Sequence, residues 1–332
     1  MNITVLGSGA WGTALANLLC ENGHTVTMWA RSEKAAREMM RTRRNPRLDS
    51  EQLHENLRID FDISCVQSSE MVVFAVPSFA IRQTANMVRD LLRKDAILVS
   101  VTKGIEPETG MRMTEILSEV TGLPAAALSG PSHAEEVARG IPTGCVAACA
   151  DSAAAERIQD AFMCENFRVY SNTDVVGVEL SAALKNVIAL CAGVTDGLGL
   201  GDNTKALLVT RGLTELARLG IALGGRQETF AGLAGVGDMI VTCTSMHSRN
   251  RRAGILIGQG VPVDEAMRQV GAVVEGYYAA NSAYQLSQKA GVDMPIVREA
   301  YRVLYEGKEP AETIRTLMNR TKKYEFEDAA WA

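Results

Sequence analysis

Ile3-Thr4-Val5-Leu6-Gly7-Ser8-Gly9-Ala10-Trp11-Gly12-Thr13-Ala14-Leu15-Ala16 opens the chain and decides its fold. A short apolar run meets three glycines at G-x-G-x-x-G spacing, and a helical pattern follows with Leu15, Leu18 and Leu19 on one side. Strand, turn, helix is the context in which this spacing cradles a dinucleotide. Gly7 suits the tight turn, Gly9 lets the backbone approach a pyrophosphate, and Gly12 lets the helix lie close to the strand. The N–H groups that open the helix then face the phosphates. A second strand, Val26 to Ala30, follows after His24. The competing reading, a glycine-rich turn without a ligand, explains the glycines but not their flanks.

Working outward, 332 residues suffice for two domains of ordinary size. A net charge of −5 gives no general reason to expect a nucleic-acid partner, so any affinity for anions must come from local placement. The chain starts directly with a strand, which argues against a signal peptide. Its apolar stretches are broken by Gly, Asn or charge, which argues against a membrane span. The seven cysteines contain no C-x-x-C pair and sit mostly among apolar neighbours, as expected of reduced thiols in a cytoplasm. Histidines 24, 54, 133 and 247 have no metal-ligand spacing, so no metal is expected.

Arg31 stands at the end of the second strand, where folds that choose NAD carry an acid for the ribose 2′-OH. A guanidinium there would pair with the 2′-phosphate of NADP; it is otherwise a surface arginine at the start of a charged helix, and Glu33 keeps NAD open. Residues 43–56 read as a polar loop. Met71 to Val76 is a continuous apolar run, typical of a parallel strand covered on both faces, and it ends at Pro77-Ser78 on the edge where ligands lie. Ile97 to Val101 is the next strand, closed by Thr102-Lys103-Gly104; Lys103 is either a further polar group at that edge or an ordinary exposed lysine. Ala126 to Ser129 leads into Gly130-Pro131-Ser132-His133-Ala134-Glu135, where Ser132 and Glu135 have capping-box spacing. A cap there is compatible with an anion or hydroxyl site. Val146 to Ala148 and Arg168 to Tyr170 suggest two more strands around an Ala-rich helix.

Past about residue 175 strand-like alternation nearly disappears. Two domains are expected, a dinucleotide-binding one over 1–175 and a helical one over 176–332, with a polar tail after Lys322-Lys323. Leu180 to Val194 reads as a helix apolar almost all round, hence buried. Lys185 is its only charge, with Ser181, Ala182, Ile188 and Ala189 as same-face neighbours. Desolvation would lower its pKa and suit it to act as a general base, unless it snorkels out along its stem. Glycines crowd the approach to Asp238, which reads as a helix N-cap, as a carboxylate held near Lys185, or as both at once. Ser248-Arg249-Asn250-Arg251-Arg252 is the densest basic segment, a phosphate clamp or a solvated face.

These motifs, with Leu184-Lys185-Asn186-Val187, Gly237-Asp238, Thr242-Cys243 and Val273-Val274-Glu275-Gly276-Tyr277, resemble those of the bacterial NAD(P)-dependent sn-glycerol-3-phosphate dehydrogenases over nearly the whole chain. The resemblance implies an α/β fold: a Rossmann-type, mostly parallel sheet followed by an all-helical domain like that of 6-phosphogluconate dehydrogenase. It implies NADP(H) and/or NAD(H) as cofactor, a phosphorylated small-molecule substrate, a homodimer and a supply role in phospholipid synthesis. It casts Lys185 as proton acceptor, with Asp238 beside it. Lys103, Gly130, Ser132, Lys185, Asp238, Ser248, Arg249 and Asn250 then fall on glycerol 3-phosphate. Besides Gly7, Gly9 and Gly12, Ala10, Trp11, Arg31, Lys103, Ala134, Arg249, Val273 and Glu275 fall on the dinucleotide, positions 10, 11 and 31 being variable in the family. A 3-hydroxyacid or ketopantoate-type reductase shares the two-domain layout, and a non-catalytic NADPH-binding regulator would keep the glycine motif without needing a buried Lys185.

Overall fold

A computed structural model describes residues 1–48, 51–322 and 324–325. The polar tail expected at the C-terminus therefore falls mostly outside the described residues, as do two positions of the 43–56 loop.

The first part of the chain is an eight-stranded sheet. Its strands are β1 (Asn2–Leu6), β2 (Thr25–Trp29), β3 (Arg58–Asp60), β4 (Met71–Phe74), β5 (Ile97–Ser100), β6 (Ala125–Ser129), β7 (Thr143–Ala148) and β8 (Phe167–Asn172). The spatial order is β3-β2-β1-β4-β5-β6-β7-β8, and every neighbouring pair is parallel except β6 with β7. The order doubles back at β1, which lies between β2 and β4, and ligands of such sheets bind beyond the strand ends at that switch point. The register aligns those ends, since Leu6 pairs with both Trp29 and Phe74, and Phe74 with Ser100. Gly7, Arg31, Ser78 and Lys103 thus emerge along one edge. Helices α1 (Ala10–Glu21), α2 (Glu33–Thr42), α3 (Ile81–Val88), α4 (Met113–Thr121), α5 (Ala134–Ala138) and α6 (Ser152–Phe162) cover the faces. Val72, Val73 and Phe74 are wholly buried, as a doubly covered parallel strand requires.

From Val175 onward every described element is helical: α7 (Val175–Gly197), α8 (Gly201–Ala222), α9 (Gln227–Phe230), α10 (Asp238–Thr244), α11 (Arg249–Gly258), α12 (Val263–Val270), α13 (Glu275–Ala290), α14 (Pro295–Glu306) and α15 (Pro310–Met318). Helix α7 is long and apolar enough to cross a bilayer, yet here it is the core helix around which α8, α10, α11 and α13 pack. It is buried on all sides because it has no polar stripe to turn to water. Its crossing with α11 is unusually close: a Cβ at Gly193 would stand 2.1 Å from the Arg251 carbonyl oxygen, and one at Gly254 2.0 Å from that of Leu190. Near its start, buried Glu179 accepts from the Arg112 guanidinium at 2.6 Å and the Thr114 N–H at 2.9 Å, which ties α7 to α4 of the sheet domain.

Candidate active site

The turn after β1 meets the geometric demands of a dinucleotide cradle. Gly7 has φ +120°, and a Cβ there would lie 2.5 Å from the Ala75 carbonyl oxygen. A Cβ on Gly12 would lie 2.2 Å from the Gly7 carbonyl oxygen, so only glycine lets α1 sit this close to the turn. Gly9 faces open space, where a pyrophosphate could approach the backbone. The buried indole N–H of Trp11 has no hydrogen-bond partner among the described residues. A buried donor left without a partner is costly, and a ligand at the helix start would supply one. Ala134 is buried at the start of α5, which packs on α1, and Arg31 is exposed at the end of β2. These features fit a dinucleotide.

Glu275 and Val273 belong to the helical domain but reach the same edge. The Ser78 hydroxyl donates to Glu275 Oε2 at 2.8 Å. Burial raises the Glu275 pKa, opposed by Ser78 and by the charge of Arg249. Val273 is half-buried just before it.

Between the domains lies a buried ion cluster. Lys185 donates to Asp238 Oδ1 at 2.6 Å, and Lys103 donates to Asp238 Oδ2 at 2.8 Å and to the Gly130 carbonyl at 2.9 Å. Lys185 also donates to the Thr242 hydroxyl. The ammonium does not snorkel, because the lysine is only 3% exposed. Burial brings its pKa down to about 8; Lys103 adds to the fall and Asp238 opposes it. For Asp238, burial alone would raise the pKa, but the two ammonium groups outweigh it and hold the carboxyl below its usual range. One carboxylate shared by two lysines leaves one positive charge in excess. The cluster is thus suited to an anion or to a developing negative oxygen.

Two sequence expectations are corrected here. Asp238 is not an N-cap: a π-helical turn, Leu233–Gly237, runs into α10 without a break, so Asp238 is already helical and its carboxylate is available for the lysines. Nor do Ser132 and Glu135 form a capping box. His133 occupies the N-cap of α5 without a side-chain bond, and the Ser132 hydroxyl donates instead to the Gly130 carbonyl at 3.0 Å. Ser132 therefore sits beside the oxygen that also receives Lys103.

The basic segment divides its labour. Ser248 is the N-cap of α11, accepting from the Arg251 N–H at 3.2 Å. Asn250 is buried, donates to Asn186 Oδ1 at 2.9 Å and accepts from the Gly276 N–H at 2.8 Å, so it locks α7, α11 and α13 together beside Lys185. Arg251 pairs with Asp196 at 2.8 Å. Arg249 remains exposed at the first turn of α11. The segment is thus neither wholly a clamp nor wholly a solvated face.

Sequence reasoning assigned no role to Thr242, Ser78, Asn186 or His133. Thr242 lies four residues after Asp238, one helical turn on the same face, and that spacing was the available signal. His133 packs its ring 5.7 Å from that of His247. Burial, then the charges of Lys103 and Lys185, push the His133 pKa below its usual value. Among the described residues no group of three or more His, Cys, Asp or Glu side chains gathers as a metal site would.

Comparison with known proteins agrees with this geometry. Residues 2–155 match the model for the NAD-dependent glycerol-3-phosphate dehydrogenase N-terminus, and residues 174–315 the model for its C-terminus. A glycerol-3-phosphate dehydrogenase [NAD(P)+] of Thermoanaerobacter sp. (strain X514) is 52% identical over 98% of this chain and 99% of its own. One from Moorella thermoacetica is 49% identical over 99% of each chain. The solved glycerol-3-phosphate dehydrogenase of Coxiella burnetii superimposes with a TM-score of 0.93 at 36% identity, covering 96% of this chain and 99% of that one. A ketopantoate reductase from Ralstonia eutropha shares the fold alone, with a TM-score of 0.63 at 18% identity.

Proposed function

Since the chain belongs to the NAD-dependent glycerol-3-phosphate dehydrogenase family, and is an NAD(P)-dependent oxidoreductase of that kind, we propose how its own residues carry the reaction. The observation that carries this reading is the buried Lys103–Asp238–Lys185 cluster between the domains.

Lys185 is the general base for sn-glycerol 3-phosphate and, as ammonium, the general acid for dihydroxyacetone phosphate. Its lowered pKa keeps both protonation states within reach near neutral pH. The proton moves between Nζ and the oxygen on C2. Asp238 orients the amine and limits the downward shift, and Thr242 fixes it from the next turn. Lys103, with Gly130 and Ser132 around it, holds the substrate's oxygen edge. Arg249 offers its planar fork to the phosphate, with Ser248 and Asn250 as nearby polar groups. The bound nicotinamide supplies or accepts the hydride. Gly7, Gly9, Ala10, Trp11, Gly12, Arg31, Lys103, Ala134, Arg249, Val273 and Glu275 hold the dinucleotide, with Arg31 on a 2′-phosphate. Interdomain contacts such as Ser78 with Glu275 help to keep water out.

The chain acts in this reading as a cytoplasmic homodimer that supplies glycerol 3-phosphate to phospholipid synthesis; light scattering tests the dimer. The decisive experiment follows nicotinamide absorbance with dihydroxyacetone phosphate in wild type and Lys185→Ala. The variant should lose roughly 10²–10⁴ in kcat, the usual worth of general acid–base catalysis, with cofactor affinity retained. Near-normal kcat would remove Lys185 from the mechanism.

A further inference from the structure

Lys103 stands at the root of a hairpin that reaches from the sheet domain into the helical one. Its neighbour Thr102 is fixed just past β4, the hydroxyl donating to the Val76 carbonyl at 2.6 Å. Beyond Lys103, Ile105 is buried in the hydrophobic core of the helical domain and bridges to Arg112, which closes the hairpin. Inside it the Glu106 N–H donates to the Met111 carbonyl at 3.0 Å. Gly110, at φ +74°, turns the chain so close to α13 that a Cβ there would stand 3.1 Å from Leu286 Cδ2. Arg112 then meets Glu179 of α7.

The sheet domain grips the same hairpin through one short segment, residues 78–82. Ser78 lies against Gly104, where a Cβ would stand 2.4 Å from the Ser78 Cβ, so the backbone next to Lys103 is pressed onto that side chain. Four residues on, in the first turn of α3, Arg82 forks onto Glu106: Nε donates to Oε1 and Nη2 to Oε2, both at 2.8 Å. The Thr109 hydroxyl donates to Glu106 Oε2 at 2.6 Å, and Arg82 Nη1 donates to Glu119 Oε1 of α4 at 3.0 Å. Glu106 is buried, and the Arg82 guanidinium, helped by Thr109, holds its carboxyl below the usual range against that burial. A two-bond fork of this kind fixes both distance and orientation. Because Arg82 is itself tied to α4, the pair anchors the hairpin to the sheet domain independently of the helical core.

We propose that the Arg82–Glu106 pair positions Lys103 for the reaction. The proposal rests on the reading of Lys103 given above and deepens it. A lysine side chain is long and flexible, and its ammonium delivers charge to a fixed point only when the backbone beneath it is held. Thr102 and Gly104 hold that backbone on one side, and the fork on Glu106 holds it on the other. Released from Arg82, the hairpin would follow the helical domain alone. Lys103 would then lose its set height over Asp238 and the Gly130 carbonyl. A displacement of about 1 Å in such a group costs up to about 100-fold in rate.

The test is a cycle of Glu106→Gln, Lys103→Ala and the double variant. Each is assayed by initial rates of glycerol 3-phosphate oxidation against pH, with circular dichroism melts to check folding. Glu106→Gln should lose about 10- to 100-fold in kcat. In the Lys103→Ala background the same substitution should cost less than about twofold, because its effect passes through the missing ammonium. Lys185 faces Lys103 across Asp238, and Cys243 on α10 and His133 on α5 also lie within range of its charge. A retreat of Lys103 removes a charge that presses the Lys185 pKa down, so the acid limb of kcat/KM should move up in pH in Glu106→Gln. Arg82→Lys, which keeps the charge but loses the fork, should show the same two signs at smaller size, and it takes the place of Glu106→Gln in the cycle if that variant does not fold. Equal losses in both backgrounds, or an acid limb that stays in place, would overturn the proposal and leave Lys103 its role. A Lys103→Ala enzyme with wild-type kcat would remove that role, and the proposal with it.

Discussion

Asp238→Asn removes the charge that buried Lys185 and half-buried Lys103 share while keeping the side chain's shape. In the native cluster its oxygens lie 2.6 Å from Lys185 Nζ and 2.8 Å from Lys103 Nζ. Burial, the largest influence, and Lys103 press the Lys185 pKa down to about 8, while Asp238 and, least of all, Cys243 hold it up. An opposite charge at such range is worth roughly 1–3 pKa units. With it gone the main upward influence is lost, and the amine should titrate by about that amount lower. Oxidation of glycerol 3-phosphate needs the free amine, so its rate rises with pH through the Lys185 pKa. In the variant this acid limb of kcat/KM should move down by roughly 1–3 units, and the alkaline limb of the reverse reaction, which needs the ammonium, should move the same way. Absolute activity should drop in both directions, because the amide no longer orients Lys185 as strongly. Losing one partner of a buried ion pair costs about 3–5 kcal/mol when the other stays charged. Here Lys185 can shed its proton, so the stability loss should lie at or below that range. The assay is initial rate against pH in both directions at saturating nicotinamide, with circular dichroism to check folding. An acid limb that stays in place, or moves up, would refute the claim that Asp238 sustains the Lys185 pKa.

Two further outcomes follow from other parts of the fold. Arg249→Ala should reduce kcat/KM for dihydroxyacetone phosphate by about 2–5 kcal/mol while changing activity on unphosphorylated dihydroxyacetone far less; an unchanged ratio at saturating cofactor would move the phosphate to Lys103. Glu215 on α8 is buried and accepts from the Ile296 N–H at 2.9 Å, and burial, against these donors, raises its pKa from 4.5 to about 7. A carboxyl raised in the folded state stabilises below its unfolded pKa and loses that contribution as pH climbs to the folded one. Native stability should therefore carry a loss of roughly 2–4 kcal/mol from this group between those values, and Glu215→Gln should abolish it. Urea melts at several pH values would show this, and an identical slope in the variant would sink the assignment.

The turn after β1 was legible because glycine spacing encodes local geometry. The positive φ at Gly7 and the missing Cβ at Gly12 are requirements that no other residue meets, so they show in the letters themselves. The burial of Lys185 was legible for a related reason, as the lone charge in the apolar stretch Leu180 to Val194. The capping box at Ser132 failed because the pattern describes an isolated helix end. In the folded chain the neighbouring Gly130 carbonyl competes for the Ser132 hydroxyl, and α5 is only five residues long. Asp238 was ambiguous for the opposite reason, since glycines before an acid usually mean a turn and a cap. Here they form a π-helical turn, which widens the helix and presents Asp238 to the core.

What stayed hidden is the part that long-range packing makes. Asn250 looked like one member of a phosphate clamp, yet its amide spends two bonds on Asn186 and on the Gly276 N–H. The bond to Asn186 exists because α7 and α11 cross close enough for glycine alone, at Gly193 and Gly254, far apart in the chain. The same crossing sets Lys185, the preceding neighbour of Asn186, at a fixed distance from the start of α11, where Arg249 stands. The proton-transfer group and the proposed phosphate-holding group are therefore spaced by backbone packing between two helices. A spacing held this rigidly can select a substrate by the length between its C2 oxygen and its phosphate. Enlarging Gly254 to alanine should then damage kcat more than removing any one hydrogen bond to the phosphate, because it would move both ends of the measure at once. Initial rates at saturating substrate and cofactor check this, and a Gly254→Ala enzyme with wild-type kcat would show that the crossing does not set the spacing.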